Sequence, residues 1–213
     1  MNYIIRGTSR CGKTMLANMI TQKLVGYNKL STDNFIGAFH KVMPKLEINH
    51  NSGKGMKKIF PEFLLSYINA TKKKDNKLDL YYVLEGVDIS DEILEEFNKQ
   101  DDVTVICLSK PSLTRDEYFN EVRYFEKIYL YGEWTKALSD EELYKYVDYW
   151  LNEANQIKKM CEEKGYLFFD TSYNQEKVIK GIFKKIKRSN AKNLQRIKKK
   201  KVVLEAYAED KRK

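Results

Sequence analysis

Three cysteines in 213 residues, Cys11, Cys107 and Cys161, are too few and too scattered to staple a fold. None belongs to a CxxC pair, and His40 and His50 lack cysteine or carboxylate partners at metal-ligand spacing, so neither a disulfide framework nor a zinc site is expected. Long apolar runs are missing too: none approaches the roughly 18 residues that cross a bilayer. The first apolar run, Tyr3-Ile4-Ile5, is cut short by Arg6 and cannot serve as a signal peptide, so a cytoplasmic location without membrane partners is expected. No internal repeat is visible. Excess basic charge is missing from most of the chain as well. The formal net charge is +9, yet Lys184 to Lys213 holds thirteen Lys/Arg and three Asp/Glu, while the rest holds 26 basic and 27 acidic residues. Nucleic acid could therefore be gripped through the tail, and a core groove for it is not favoured.

What the chain does contain is ample apolar material, 42% hydrophobic and 13% aromatic, enough for one packed domain. Short apolar runs alternate with helical patterns. The expected strands are Tyr3–Arg6, Lys29–Thr32, Leu78–Leu84, Val103–Leu108 and Tyr166–Asp170. Between them lie helices expected at Lys13–Val25, Asn34–Val42, Phe60–Ala70, Ser90–Asn98, Ser112–Ile128, Asp140–Glu163 and Asn174–Lys187. Asp33 stands where it would cap the second helix, and Pro44–Gly55 reads as a mobile loop or small insertion. Alternation of this kind predicts an α/β fold, a five-stranded parallel sheet with helices on both faces. The domain edge is expected near Arg188, with a basic tail over residues 189–213.

One motif carries chemistry directly. Gly7-Thr8-Ser9-Arg10-Cys11-Gly12-Lys13-Thr14 matches GxxxxGK[ST], after a strand and opening a helix. Glycines let such a loop curl so that backbone N–H groups and the helix's positive end face one anion. Lys13 is placed to reach β- and γ-phosphates, and Thr14 to put a hydroxyl on Mg²⁺, which makes ATP and Mg²⁺ the expected cofactors. Cys11 reads as a filler of the loop rather than a redox switch.

Other strand ends distinguish kinase from GTPase. Asn98-Lys99-Gln100-Asp101 has the letters of a guanine signature but follows helical residues and precedes a strand, and no DxxG follows the third strand. Ligands of open α/β sheets sit beyond the strands' carboxyl ends, where Asp33 and Glu85 both fall. Asp33 could take a proton from an acceptor hydroxyl, or merely cap its helix; Glu85 could hold Mg²⁺ or the acceptor, or be an ordinary strand-end carboxylate.

The loop, Ser31-Thr32-Asp33-Asn34-Phe35 and Val83-Leu84-Glu85-Gly86 together resemble the small-molecule kinases of the P-loop superfamily. That group includes uridine kinase, 2-phosphoglycerate kinase, the zeta-toxin kinases and, more distantly, adenylate and shikimate kinases. The resemblance covers the N-terminal half. It implies the P-loop NTPase fold, Asp33 as catalytic base and Glu85 as support for Mg²⁺ or substrate. It also implies an acceptor-binding insertion near 44–76, a lid near 111–135 bearing Arg115 and Arg123, which otherwise read as solvated surface residues, and an adenine site around Thr171 to Tyr173. The dense arginines of an adenylate kinase lid are absent, which counts against a nucleoside monophosphate acceptor. Gly53-Lys54-Gly55 with Lys57 and Lys58 reads either as an acceptor-phosphate site or as a surface loop. The aromatic run Tyr118 to Trp134 reads as packing core or as part of a nucleoside pocket.

The expected activity is transfer of the ATP γ-phosphate to a hydroxyl of a small nucleoside-, nucleotide- or sugar-like metabolite. A polynucleotide 5′-kinase using the basic tail, and a nucleotide-dependent regulatory module without acceptor chemistry, are the alternatives.

Overall fold

The computed structural model describes residues 1–50, 52–72, 81–128 and 134–191. The strands are β1 (Asn2–Gly7), β2 (Tyr27–Ser31), β3 (Tyr81–Gly86), β4 (Val103–Ser109) and β5 (Leu167–Asp170). The helices are α1 (Lys13–Lys23), α2 (Thr32–Val42), α3 (Lys54–Lys72), α4 (Asp91–Asn98), α5 (Arg115–Ile128), α6 (Asp140–Lys164) and α7 (175–191). Among the described residues the strands form one parallel sheet in the order β2-β3-β1-β4-β5. The five-stranded parallel sheet expected from the sequence is thus present, with β1 at its centre.

Side-chain parity sorts the central strands into two cores. Ile4, Tyr82, Leu84, Val105 and Cys107 face one side, where they pack against Ile36, Phe60, Leu64, Ile93, Phe97 and Ile157 of α2, α3, α4 and α6. Tyr3, Ile5, Val83, Ile106 and Leu108 face the other, against Leu16 and Ile20 of α1 and Ile179, Ile182 and Ile186 of α7. Burial on both faces is why these strands read as continuous apolar runs rather than alternating ones. A third cluster, Leu113, Tyr118, Val122, Leu143, Val147 and Trp150, joins α5 to α6 beside the sheet.

Several boundaries differ from the sequence expectation. Pro44–Gly55 is not a free loop: a 3₁₀ turn at Pro44–Leu46, the buried Ile48 and a bridge between Asn49 and Ser52 fix it, and α3 already begins at Lys54. The helix-spacing signal was obscured there by Gly55 and by Pro61 inside α3. Asp33 is not the cap of α2; Ser31 holds that position and Asp33 lies inside the first turn. At the other end, α7 continues past Arg188 to residue 191, and Asn190 Nδ2 lies 2.9 Å from the Tyr27 hydroxyl of β2. Tail residues 192–213, and with them the nucleic-acid expectation, lie outside the described residues, as do residues 51 and 73–76 of the stretch expected to be an acceptor-binding insertion and 129–133 of the stretch expected to be a lid. No helix among the described residues is long and apolar enough to cross a membrane.

Gly86 closes β3 where α2 begins, and a Cβ there would lie 1.7 Å from Thr32 Oγ1 and 2.8 Å from its Cβ. Thr32 is fully buried, so the contact cannot be relieved by turning a surface side chain. Gly86→Ala is expected to destabilise by about 1–3 kcal/mol through overpacking, which a thermal melt would read as a Tm lower by roughly 2–12 °C.

Candidate functional site

The phosphate loop leaves β1 under tight constraint. A Cβ on Gly7 would sit 1.9 Å from the Leu108 carbonyl oxygen, so only glycine lets the chain turn this close to β4. Gly12 has φ 94° and Arg10 φ 58°, the left-handed turns that curl the loop. Its carbonyls are tied from behind. The Tyr118 hydroxyl donates to Ser9 O at 2.6 Å, and the Thr171 hydroxyl lies 3.0 Å from Cys11 O. Peptide planarity turns the N–H groups of Arg10 and Gly12 to the opposite side, and both residues line a cavity. Lys13 Nζ donates to Thr8 O at 2.6 Å and is largely buried.

Helix α1 begins at this point with no side-chain cap and no acidic residue in its first turn. Two other helices are finished differently: Ser90 caps α4, and Ser139 with Glu142 forms a capping box on α6. The unsatisfied N–H groups and positive end of α1 thus remain available to an anion.

Two cavities meet on the loop. One, of about 700 Å³, is lined by Arg10, Gly12, Lys13 and Thr14 together with Met15, Asn18, Phe125 and Gln175. The other, of about 1060 Å³, shares Arg10, Lys13 and Thr14 and extends past Ser9 to Asp33, His50, Trp134, Tyr149 and Glu153. Lys13 and Thr14 therefore stand at a boundary between two chambers, the arrangement needed to pass a group from one bound molecule to another.

Strand parity places the carboxylates. Glu85 shares the α1 side of β3 with Val83, and there Thr14 Oγ1 lies 3.1 Å from Glu85 Oε2. Glu85 is only 2% exposed. A hydroxyl and a buried carboxylate are hard oxygen donors, a set that suits Mg²⁺. Asp33 sits at the start of α2, with ligand atoms of Asp33, His50 and Asp88 all within 4.8 Å of one another. His50 Nδ1 is 2.8 Å from Asp88 Oδ2. The hydrogen bond to Asp88, outweighing partial burial and aided by the charges of Asp88 and Asp33, raises the His50 pKa above its ordinary value. Burial also pushes the Glu153 carboxyl up, against the pull of Arg6 and Lys13.

Not every expected residue is at the cavities. Thr8 and Cys11 are fully buried behind the loop, and burial raises the Cys11 thiol despite the adjacent Lys13, leaving an inert filler. Thr171 lines neither cavity. Its backbone N–H donates to Ser109 O at 2.8 Å and its hydroxyl faces Cys11 O, so it is a strut under the loop rather than an adenine contact. Arg115 and Arg123 also line neither cavity. Arg115 makes paired hydrogen bonds to Asp148 at 2.6 and 2.8 Å and stacks on Tyr144; Arg123 reaches Glu126 at 2.9 Å, Asp140 at 2.8 Å and Leu138 O at 3.0 Å. Both are drawn to the acid-rich flank of α6. The arginine common to both cavities is Arg10, whose Nη2 donates to Thr135 Oγ1 at 2.9 Å. Lys54, Lys57 and Lys58 are exposed and line neither cavity.

Asp88 and Glu153 were not singled out by sequence reasoning, and His50, set aside there for want of a carboxylate partner at metal-ligand spacing, has Asp88 beside it. Asp88 follows Glu85-Gly86 by two residues, a strand-end position that could have drawn notice; His50 gave no local signal, because its carboxylate partner is 38 residues away.

No protein-family model matches the chain, and no curated protein sequence matches it. Its fold is shared with solved P-loop kinases. A shikimate kinase from Bacteroides thetaiotaomicron superposes with a TM-score of 0.55 at 16% identity, covering 90% of this chain and 98% of that one. A gluconokinase from Sinorhizobium meliloti 1021 superposes with a TM-score of 0.54 at 10% identity, covering 91% and 95%.

The environment of His50 makes a pH prediction. Because its pKa is raised in the folded chain, its contribution to stability is complete below the unfolded value of about 6.5 and is lost as pH rises through the folded value. An NMR titration of the imidazole should give a midpoint above that of an unfolded peptide, and Asp88→Asn should bring it down. An unchanged midpoint in Asp88→Asn would show that the hydrogen bond is not its cause.

Proposed function

We propose that the protein transfers the γ-phosphate of MgATP to a hydroxyl of a small metabolite. The observation that carries this reading is the pair of cavities meeting on Arg10, Lys13 and Thr14, with Asp33 on one side only. ATP fits the smaller chamber, its phosphates on the loop amides and on the uncapped start of α1. The acceptor fits the larger one.

Thr14 and Glu85 would hold Mg²⁺, which when bound neutralises β- and γ-phosphate oxygens. Lys13 exchanges its carbonyl partner, Thr8 O, for phosphate oxygens and stabilises the charge that develops during transfer. Arg10, projecting into both chambers from the loop itself, supplies the cationic contact first assigned to Arg115 and Arg123. Asp33 receives the proton of the acceptor hydroxyl. The acceptor oxygen bonds to the γ-phosphorus as the bond to the β,γ-bridging oxygen breaks, leaving ADP and a phosphate ester. His50 and Asp88 hold the surroundings of Asp33, and Tyr118 and Thr171 hold the loop.

Support for the kinase reading over a mere nucleotide switch comes from Asp33, which such a switch would not need. Asp33→Asn is expected to leave MgATP affinity within a few-fold, measured by calorimetry, and to cut transfer by about 10² to 10⁴; undiminished turnover would remove Asp33 from the base role. Lys13→Ala is expected to abolish transfer measured with γ-labelled ATP. Failure of the unaltered protein to take up MgATP in the calorimeter would end the kinase reading altogether.

A further inference from the structure

The wall of the larger cavity opposite the phosphate loop has a composition that packing does not explain. Tyr146, Tyr149, Trp150 and Glu153 lie at i, i+3, i+4 and i+7 of α6, one face of the helix, and all four line the cavity. A helix face turned to a protein core is covered. This one is open: Tyr146 is 41% exposed, Tyr149 46%, and Trp134, which lines the same cavity, 53%. Trp134 stands edge-on to Tyr146 with ring centroids 4.8 Å apart and edge-on to Trp150 at 6.3 Å. Trp150, only 5% exposed, anchors the group in the core between α5 and α6. Trp134, Tyr146 and Trp150 are thus fixed by one another, while the outer surfaces of Trp134, Tyr146 and Tyr149 remain uncovered beside the phosphate loop, where a flat apolar ligand would gain most by stacking.

Charge on the same walls narrows the ligand. Two carboxylates, Asp33 and Glu153, face the cavity; of its cations, Arg10 and Lys13 belong to the phosphate loop, while away from the loop Lys145 pairs with Glu141 at 2.9 Å and His50 with Asp88. An acceptor bearing its own negative charge would meet repulsion there. The chamber of about 1060 Å³ is at the upper end of small-molecule sites and has room for a ring system joined to a sugar.

We propose that the acceptor is an uncharged nucleoside, its base lying on Trp134, Tyr146 and Tyr149, its polar edge toward Glu153, and a sugar hydroxyl at Asp33. This rests on the kinase reading above and adds the acceptor's class. The products are ADP and a nucleoside monophosphate, the nucleoside oxygen having replaced the β,γ-bridging oxygen on phosphorus and its proton having passed to Asp33.

The test offers adenosine, guanosine, cytidine, uridine and thymidine, their monophosphates, and ring-free polyols and hydroxy acids to the full chain with γ-labelled ATP. At least one nucleoside should be phosphorylated with a kcat/KM well above every ring-free compound and above its own monophosphate, and should quench tryptophan emission on binding. Tyr149→Leu and Trp134→Leu should raise the nucleoside KM by about 5- to 100-fold, the range of one lost ring stack, with kcat and MgATP affinity within a few-fold. Preferential transfer to a ring-free alcohol or to a monophosphate would overturn the nucleoside assignment and leave the kinase reading standing. An unchanged KM in both folded variants would overturn it as well. MgATP binding without transfer to any class would overturn both readings.

Discussion

The turn out of β1 is the constraint on which the rest of the site depends. Gly7 brings the chain against the Leu108 carbonyl of β4, and the curled loop that follows has its carbonyls bonded from behind by Tyr118, from α5, and by Thr171, just past β5. Each such hydrogen bond is worth only about 1 kcal/mol of stability. Their geometric effect is larger, because donors already aimed at a developing charge need no reorganisation when that charge appears. The buried hydroxyls of Tyr118 and Thr171 are therefore parts of the site although neither lines a cavity. Burial raises the Tyr118 phenol far above the ordinary range, which keeps it a neutral donor to Ser9 O.

From that fixed point, the sheet positions everything else by parity and register. Glu85 pairs in register with Ile5 of β1 and Ser31 of β2, so the exits of the three strands are brought level. One residue's shift along β3 would carry Glu85 to the opposite face, away from Thr14. The close approach of Gly86 to Thr32 locks α2 to the end of β3, which also sets the height of Asp33. Aromatic packing between α2 and α3, with Phe35 and Phe39 edge-on to Phe63 at 5.3 and 4.9 Å, fixes α2 from its outer side. The proposed base is thereby mounted between a sheet edge and an aromatic layer, although its own side chain is exposed.

Legibility in the sequence followed the range of the interactions. The phosphate loop is a local device: glycines, lysine and hydroxyl act within eight residues and between a strand and its own helix, so spacing alone revealed it. The central strands were legible because burial on both faces leaves runs such as Val103–Ser109 free of charge. Strand-end logic marked Asp33 and Glu85 as well. It could not assign the arginines, because the fate of Arg115 is set by Asp148, 33 residues on, and that of Arg123 by Asp140 and the Leu138 carbonyl. Thr171 was given a ligand contact, since nothing in Thr171-Ser172-Tyr173 tells whether a hydroxyl turns outward or under the neighbouring loop. Pro44–Gly55 looked mobile because polar residues and glycines outnumber its one deep anchor, Ile48.

Arg10 connects the two chambers in a way that neither the motif nor the fold alone would suggest. It occupies one of the loop's variable positions, holds a left-handed backbone conformation that a non-glycine residue adopts at some cost, and donates to Thr135 Oγ1. Thr135 is fully buried and follows Trp134 in the 3₁₀ turn that precedes α6. In the proposed transfer, phosphate on the loop would compete with Thr135 as one partner of the guanidinium, next to the turn that carries Trp134. The ion pairs of Arg115 with Asp148 and of Arg123 with Asp140 meanwhile hold α5 against α6.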